Sequence, residues 1–178
     1  MPGTAERRER FVAAAGFRMR HHQGVLEGLD YPTPPLADGV VELRPWTNAD
    51  VGCIEAASSD PRIPAGTTVP ADYTDERGLE FIERQRARRD SGEGLSLAIA
   101  NAATGEALGL VVLLHREDRS VVGLGYWVVP RARSKGFASR AVSLISPWAL
   151  SQPGVREVEA IVEPANQPSL RLLRRAAF

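Results

Sequence analysis

Five apolar segments of strand length predict a sheet. Val40–Trp46 alternates between apolar and polar residues, as a half-buried strand does. Three apolar runs separated by short turns then predict an antiparallel meander, over Leu95–Ala100, Ala107–His115 and Val121–Val129. Glu157–Val162 is a fifth candidate strand close to the end of the chain.

Helical spacing of apolar residues predicts four helices around these strands. They run from a cap at Thr47 or Asn48 to about Ser58, and over Asp75–Arg89, Phe137–Leu150 and Gln167–Ala177. Pro147 predicts a kink or an early end of the third helix, and Asp60–Gly66 is expected to be a loop. The resulting β-α-α-β-β-β-α-β-α order predicts an α/β (α+β) domain with a mixed, mostly antiparallel sheet flanked by helices. The strand-helix-strand unit near the end predicts one parallel pair.

Residues 1–38 have a different character from the rest of the chain. Thr4–Arg20 is rich in arginine and alanine and predicts a helix, and the prolines in Tyr31–Pro35 interrupt any regular structure after it. We therefore expect residues 1–38 to be an N-terminal extension with a linker, and residues 39–178 to be the functional domain.

Charge and cysteine content exclude several classes of function. The 22 basic and 22 acidic residues balance, so the basic footprint of a nucleic-acid binder is missing. A single cysteine, Cys53, cannot build a disulfide framework, which fits a reducing, cytoplasmic setting. No apolar run is long enough to predict a membrane span. The adjacent His21 and His22 lack further ligands, so no metal is expected.

A strand, a short basic loop and a helix follow one another within residues 125–140. Backbone N–H groups at a helix start, together with the helix dipole, bind anions. Gly136 lets the backbone approach a phosphate, because it has no Cβ, and Ala138 keeps the second position small. Arg131, Arg133 and Lys135, the only lysine in the chain, bring positive charge to the same loop. The segment therefore predicts a phosphate or pyrophosphate site.

The six residues from Arg133 to Ala138 match the pattern Arg/Gln-x-x-Gly-x-Gly/Ala and so resemble the GNAT superfamily of acetyl-CoA-dependent N-acetyltransferases. Gly125–Pro130 is similar to the strand that these enzymes place before the loop. Val162–Ser169 resembles their later motif, in which an Asn and a Ser three apart open a helix. Val40–Trp46 is similar to the first strand of the subgroup that resembles ribosomal-protein N-terminal alanine acetyltransferases. The resemblance covers roughly residues 38–178.

The resemblance implies an acetyl-CoA site and an amine acceptor. The resemblance places against the cofactor Trp127, Val128, Val129, Arg133, Ser134, Lys135, Gly136, Phe137, Ala138, Ser139, Asn166 and Ser169, and the charge of Arg131 adds it to the same site. Ser169 would lie near the thioester sulfur, and a backbone N–H near Tyr126 or Trp127 would face the developing oxyanion.

Three side chains are candidate catalytic groups: Ser169, Glu163 and Tyr126. Glu163, which ends the last strand, could act as the base directly or through water. Glu157 and Glu159 share its face by alternation, and His115 is a further candidate. Tyr126 either lines the acceptor site or belongs to the core.

The sequence also departs from the family. The family's last helix usually ends in Gly-Phe and two more strands follow, whereas Ala177-Phe178 stand here. The expected fold is therefore GNAT-like without the last two strands. The missing wall would come from the rest of a longer chain, from the N-terminal extension or from a partner chain, and an uncovered edge favours a homodimer. Gly123 stands where the family often has a glutamate.

Two other functions are compatible with the sequence. One is a CoA-binding regulatory module without catalysis. The other is a general nucleotide-phosphate binder, although the chain lacks the Gly-x-x-x-x-Gly-Lys-Ser/Thr and Gly-x-Gly-x-x-Gly patterns of such proteins.

Overall fold

The computed structural model describes residues 8–14 and 28–176, which form one seven-stranded sheet with helices around it. The strands are β1 (Glu9–Ala14), β2 (Leu36–Ala37), β3 (Val41–Arg44), β4 (Gly94–Asn101), β5 (Ala107–His115), β6 (Val121–Val128) and β7 (Glu157–Val162). The helices are α1 (Val51–Ser58), α2 (Arg62–Gly66), α3 (Asp75–Asp90), α4 (Phe137–Ser151) and α5 (Gln167–Arg175). Single 3-10 turns lie at Asn48–Asp50 and Pro130–Ala132.

The sheet has the strand order β1-β7-β6-β5-β4-β3-β2. Every neighbouring pair is antiparallel except β6 and β7, which are parallel and joined through α4. The predicted fold class is thus confirmed, including the meander β4-β5-β6 and the parallel pair after it. No helix within the described ranges is long and apolar enough to cross a membrane.

The core lies on β4 and its neighbours. The first seven residues of β4 are buried on both faces of the sheet, and both α3 and α4 contact this strand. Trp46, which is 2% exposed, packs edge-on against Phe81 of α3, with ring centroids 6.2 Å apart. Its other neighbour is Trp127 of β6, at 6.4 Å. This aromatic group fixes α3 against the strand that leads into the basic loop.

The loop predicted at Asp60–Gly66 is wrong, and of the two outcomes predicted for Pro147 the early end of the helix is wrong. The loop expected at Asp60–Gly66 contains the short helix α2, which begins after Pro61. Pro147 does not end α4, which continues to Ser151. Pro147 lacks the N–H for one helical hydrogen bond. However, Ile145 and Ala149 on either side of it are almost fully buried, so packing holds the helix together across the gap.

The N-terminal segment differs most from its prediction. Instead of a helix, Glu9–Ala14 forms β1, which pairs antiparallel with the outer edge of β7. The rest of the predicted helix, residues 4–7 and 15–20, lies outside the described residues, as does the predicted end of α5 at Ala177. Phe11 packs against the core, and Arg174 of α5 contacts Glu9 at 3.1 Å. Pairing with an available strand edge therefore overrides the helical composition.

A buried ion pair joins β3 to the turn before α1. Arg44 donates to Asp50 through both Nη atoms, at 2.9 and 2.8 Å, and the Asp50 side chain is 5% exposed. The backbone N–H and hydroxyl of Thr47 donate to the same carboxylate. Burial raises the pKa of Asp50, but the hydrogen bonds from Arg44 and Thr47 outweigh it and leave the pKa below its ordinary value.

We expect Asp50→Asn to lower the free energy of unfolding by about 2 kcal/mol at pH 7, because Arg44 loses its anionic partner. A carboxylate with a lowered folded pKa stabilises the fold above its unfolded pKa of about 3.9 and stops doing so as the pH falls through the folded value. The gap between parent and variant should therefore shrink below about pH 4. Urea denaturation at pH 7 and at pH 3 measures it. Asp72→Asn, at a position where the side chain is 92% exposed, is the matched control. An equal gap at both pH values would contradict this account.

Candidate functional site

The basic loop lies between two buried anchors. β6 runs into Val129 and Ala132, which are 0% and 2% exposed, and α4 begins at Phe137. Between them the backbone turns sharply, with a φ of 59° at Ser134 and of 84° at Gly136. Positive φ at Gly136 costs little because glycine has no Cβ. The loop is therefore held at both ends in the conformation that starts the helix.

The start of α4 lacks a side-chain cap. Gly136 occupies the cap position, where no side chain receives a hydrogen bond from the first turn. The first N–H groups of a helix have no partner within it and carry the positive end of the dipole. Ser139 donates to the carbonyl of Gly136 at 2.9 Å, and Ala138 adds little bulk. An anion with several oxygens fits such a start.

Most of the arginines around this loop already have carboxylate partners. Arg131 contacts Glu106 at 2.7 Å, Arg133 contacts Asp60 at 2.5 Å and Arg140 contacts Asp38 at 2.7 Å. Lys135 makes no ion pair with any residue of the described chain. The charge that the loop can turn toward a ligand is thus mainly that of Lys135. A depression of about 240 Å³ lies beside it, lined by Asn101, Glu106, Leu108, Arg131, Ala132, Lys135 and Phe137.

A gap opens between β6 and β7 next to the loop. The two strands pair only from Val121 with Glu157 to Gly123 with Glu159, and no pairing continues beyond. Val129 donates its N–H to Leu108 on the β5 side. Since backbone groups alternate between the two edges of a strand, Tyr126 and Val128 direct theirs toward the gap, whereas Trp127 directs its own toward β5. Of the two predicted backbone donors, Tyr126 is the one that faces the gap.

Two of the predicted catalytic side chains, Tyr126 and Ser169, come together. The hydroxyl of Tyr126 is buried and has no hydrogen-bond partner among the described residues. Burial raises the pKa of Tyr126, and the neighbouring hydroxyl of Ser169 lowers it by a smaller amount. The two groups therefore approach each other without forming a hydrogen bond of ordinary geometry. An unpartnered buried hydroxyl is costly, which marks this position as one where a ligand group could bind.

Asn166 has a local structural contact. Its side-chain oxygen accepts a hydrogen bond from the backbone N–H of Ser169 at 3.2 Å and so caps α5. The cap places Ser169 in the first turn of α5. The predicted Asn-Ser pair thus acts in the fold as a helix start.

The third candidate, Glu163, lies at the exposed end of β7. Its side chain is 67% exposed and contacts Arg8 at 3.5 Å. Glu157 and Glu159 do lie on the same side of β7 as Glu163, but Glu159 is held between two guanidinium groups. Arg10 and Arg116 each donate to it through Nε, at 2.6 Å. Burial raises the pKa of Glu159, but the hydrogen bonds from Arg10 and Arg116 outweigh this effect and leave the pKa below its ordinary value. Glu159 is therefore a poor base.

The remaining candidates are structural. Nδ1 of His115 lies 3.0 Å from the carbonyl oxygen of Arg119, and burial lowers the pKa of His115. Cys53 is buried, and burial raises its pKa to about 12, which keeps the thiol unreactive. His21 and His22 lie outside the described residues. Within the described ranges no group of His, Cys, Asp and Glu side chains could hold a metal ion.

Sequence reasoning missed the partners of the arginines. Asp38, Asp60 and Glu106 carry no motif, and each meets the loop only through the fold. The one available signal was the excess of arginine around the loop, which is more charge than a single pyrophosphate neutralises.

Comparisons with known proteins point to an acetyltransferase. Residues 41–178 match the family described as acetyltransferase (GNAT) domain. The chain is 25% identical over 148 residues to the uncharacterized N-acetyltransferase YoaA of Bacillus subtilis strain 168. The aligned region covers 82% of each protein. Its fold is similar to an acetyltransferase of Agrobacterium tumefaciens C58, with a TM-score of 0.64, 23% identity and coverage of 84% and 86% of the two chains. It is also similar to Mycobacterium smegmatis RimJ in complex with CoA-disulfide, with a TM-score of 0.64, 23% identity and coverage of 76% and 68%.

Proposed function

The chain belongs to the GNAT acetyltransferase family and takes its acetyl group from acetyl-CoA, and we propose that it transfers this group to a primary amine, of a small molecule or of a protein N-terminus, by direct attack on the thioester. The observation that carries the proposal is that the uncapped start of α4, at Gly136, lies next to the gap between β6 and β7. The uncapped helix start fits a pyrophosphate, and the gap fits an extended chain such as the pantetheine arm of the cofactor.

The pyrophosphate is proposed to bind to the backbone of the segment from Arg133 to Ser139. Positive φ at Ser134 and Gly136 gives the kind of tight backbone turn from which backbone anion sites are built. Lys135 adds the charge that has no carboxylate partner in the described chain. Arg131, Phe137 and Ala138 form the surrounding wall.

The pantetheine arm is proposed to lie in the gap and to pair with β6 like an added strand. Trp127, Val128 and Val129 form this part of the strand and its continuation. Because the backbone of Val128 faces the gap, it is the residue that offers main-chain groups to the amides of the arm. Asn166 and Ser169 close the other side at the start of α5.

Acetyl-CoA supplies a thioester carbon that an unprotonated amine can attack. The backbone N–H of Tyr126 faces the gap and is proposed to donate to the carbonyl oxygen as it gains negative charge. The thiolate that leaves must be protonated. The hydroxyls of Ser169 and Tyr126 lie together beside the gap, so we assign this proton transfer to them.

The amine must also lose a proton. Glu163 follows the last residue of β7, beyond the part of β7 that pairs with β6, and keeps its carboxylate in contact with water. Glu159 is held by two guanidinium groups and is not available for this step. We therefore propose Glu163 as the base, acting directly or through a water molecule.

Calorimetric titration of acetyl-CoA, followed by detection of free thiol in the presence of amines, tests the proposal. We expect one binding site per chain and thiol release with primary amines but not with matched alcohols. A panel with a short peptide and a small diamine separates the two acceptor classes. Absence of binding by the intact chain would refute the cofactor site, and binding without thiol release from any amine would leave a CoA-binding module instead.

A further inference from the structure

A single buried carboxylate connects α2 to the basic loop. The side chain of Asp60 is 7% exposed, although it carries a charge. It accepts hydrogen bonds from the backbone N–H of Arg62 at 3.1 Å and from the guanidinium group of Arg62 at 3.2 and 3.1 Å. Its Oδ2 also lies 2.5 Å from Nη2 of Arg133. Charged groups are rarely buried unless they are paired in this way.

The two arginines that contact Asp60 differ in what they can do. The Arg62 side chain is 78% exposed, and it lies only two residues along the chain from Asp60. The Arg133 side chain is 33% exposed and comes from the basic loop between β6 and α4. Only the contact with Arg133 joins two separate parts of the fold. Replacing Arg62 is therefore a matched control, because it removes an arginine partner of Asp60 without breaking the contact between Asp60 and the loop.

The position of Arg133 makes this contact relevant to acetyl-CoA. Arg133 lies between buried Ala132 and Ser134, the first of the two residues with positive φ. A side chain fixed at Arg133 limits how its backbone can rotate, and the N–H groups that follow it are those assigned to the pyrophosphate. The pKa of Asp60 is lowered to about 2, first by the hydrogen bonds of Arg62 and further by Arg133, so the carboxylate is charged at neutral pH.

We propose that Asp60 is a positioning residue, which holds the guanidinium group of Arg133 and thereby keeps the loop from Arg133 to Gly136 in the shape that binds the pyrophosphate of acetyl-CoA. This inference rests on the proposed cofactor site. In it the Arg133 side chain stays on Asp60 when acetyl-CoA binds, because withdrawal would leave a buried carboxylate with only an exposed partner. The loop then binds the anion through its backbone and Lys135.

Calorimetric titration of acetyl-CoA into single and double variants tests this assignment. Asp60→Asn should weaken binding about tenfold, within the usual range of coupling between sites. Arg62→Ala should change it less than about twofold. Arg133→Gln should resemble Asp60→Asn, and the double variant should be no weaker than either single one, because both remove the same contact. Asp60→Glu, which keeps the charge, should recover part of the loss.

A second measurement separates positioning from a general loss of fold. S-acetylpantetheine carries the same thioester but lacks the pyrophosphate. With this donor, Asp60→Asn should leave kcat/KM within about twofold of the parent, because the donor has no pyrophosphate for the loop to bind. An equal defect with both donors would overturn the proposal and indicate disruption of the whole site.

The alternative role of Arg133 gives a different pattern. If its guanidinium group leaves Asp60 and binds the pyrophosphate itself, Asp60→Asn would bind acetyl-CoA as tightly as the parent or more tightly, and Arg133→Gln alone would weaken it. That result would overturn the inference while the parent still binds. Failure of the parent to bind acetyl-CoA would instead refute the proposed function.

Discussion

Gly136→Glu is expected to weaken acetyl-CoA binding by at least about 100-fold. Two effects act in the same direction. The φ of 84° at this position costs a residue with a Cβ about 1–2 kcal/mol, and the new carboxylate would lie where the anion binds. Calorimetric titration of parent and variant at the same ionic strength measures the change.

Two variants separate these effects. Gly136→Ala introduces the backbone strain without the charge and should weaken binding by roughly tenfold, on the same estimate of 1–2 kcal/mol. Gly154→Glu introduces the charge at another glycine with a φ of 81°, beyond the opposite end of α4. It should bind acetyl-CoA like the parent. Equal loss in Gly136→Glu and Gly154→Glu would mean that strain on α4, and not the anion site, explains the effect.

Tyr126→Phe is expected to lower kcat by about 100-fold, the lower end of what a positioned proton donor contributes. The same substitution should not lower the stability of the fold. The Tyr126 hydroxyl is buried without a partner, so its removal should leave the thermal midpoint unchanged or raise it. Steady-state kinetics at saturating acetyl-CoA and thermal denaturation of the same preparation provide both readings.

Ser169→Ala and the double variant complete this test. If the two hydroxyls act as one proton-donating unit, the double variant should lose little more than the worse single variant. Tyr31→Phe, at a tyrosine whose ring lies against the guanidinium group of Arg89 in α3, is the control. An unchanged kcat in Tyr126→Phe together with a raised thermal midpoint would show that Tyr126 belongs only to the core.

Features that depend on neighbouring residues could be predicted from the sequence. The loop at Lys135 and Gly136 is one of them, because the strand before it, its charge and its glycine all lie within one short segment. The alternation of β7 is another, since it places Glu157, Glu159 and Glu163 on one side. Such patterns follow from the geometry of a single element and need no knowledge of its partners.

Features that depend on contacts between distant segments could not be predicted. The contact of Arg133 with Asp60 requires the path of the whole chain between them. The same holds for Glu159, where Arg10 and Arg116 from two other elements turn a candidate base into a fixed ion. Pro147 would end a helix in isolation, and only the burial of its neighbours keeps α4 continuous.

The position of β1 also bears on how the fold forms and opens. Its contacts with β7 join residues that are 149 positions apart in sequence, as for Arg10 and Glu159. Closing so long a loop is costly in chain entropy, so this pairing is expected to form late and to open first. Hydrogen exchange should then release the outer amides of β7 well before those of β4, by a local opening that leaves the rest of the sheet folded. The open edge that results would present unpaired backbone N–H and C=O groups of β7, to which another strand could pair.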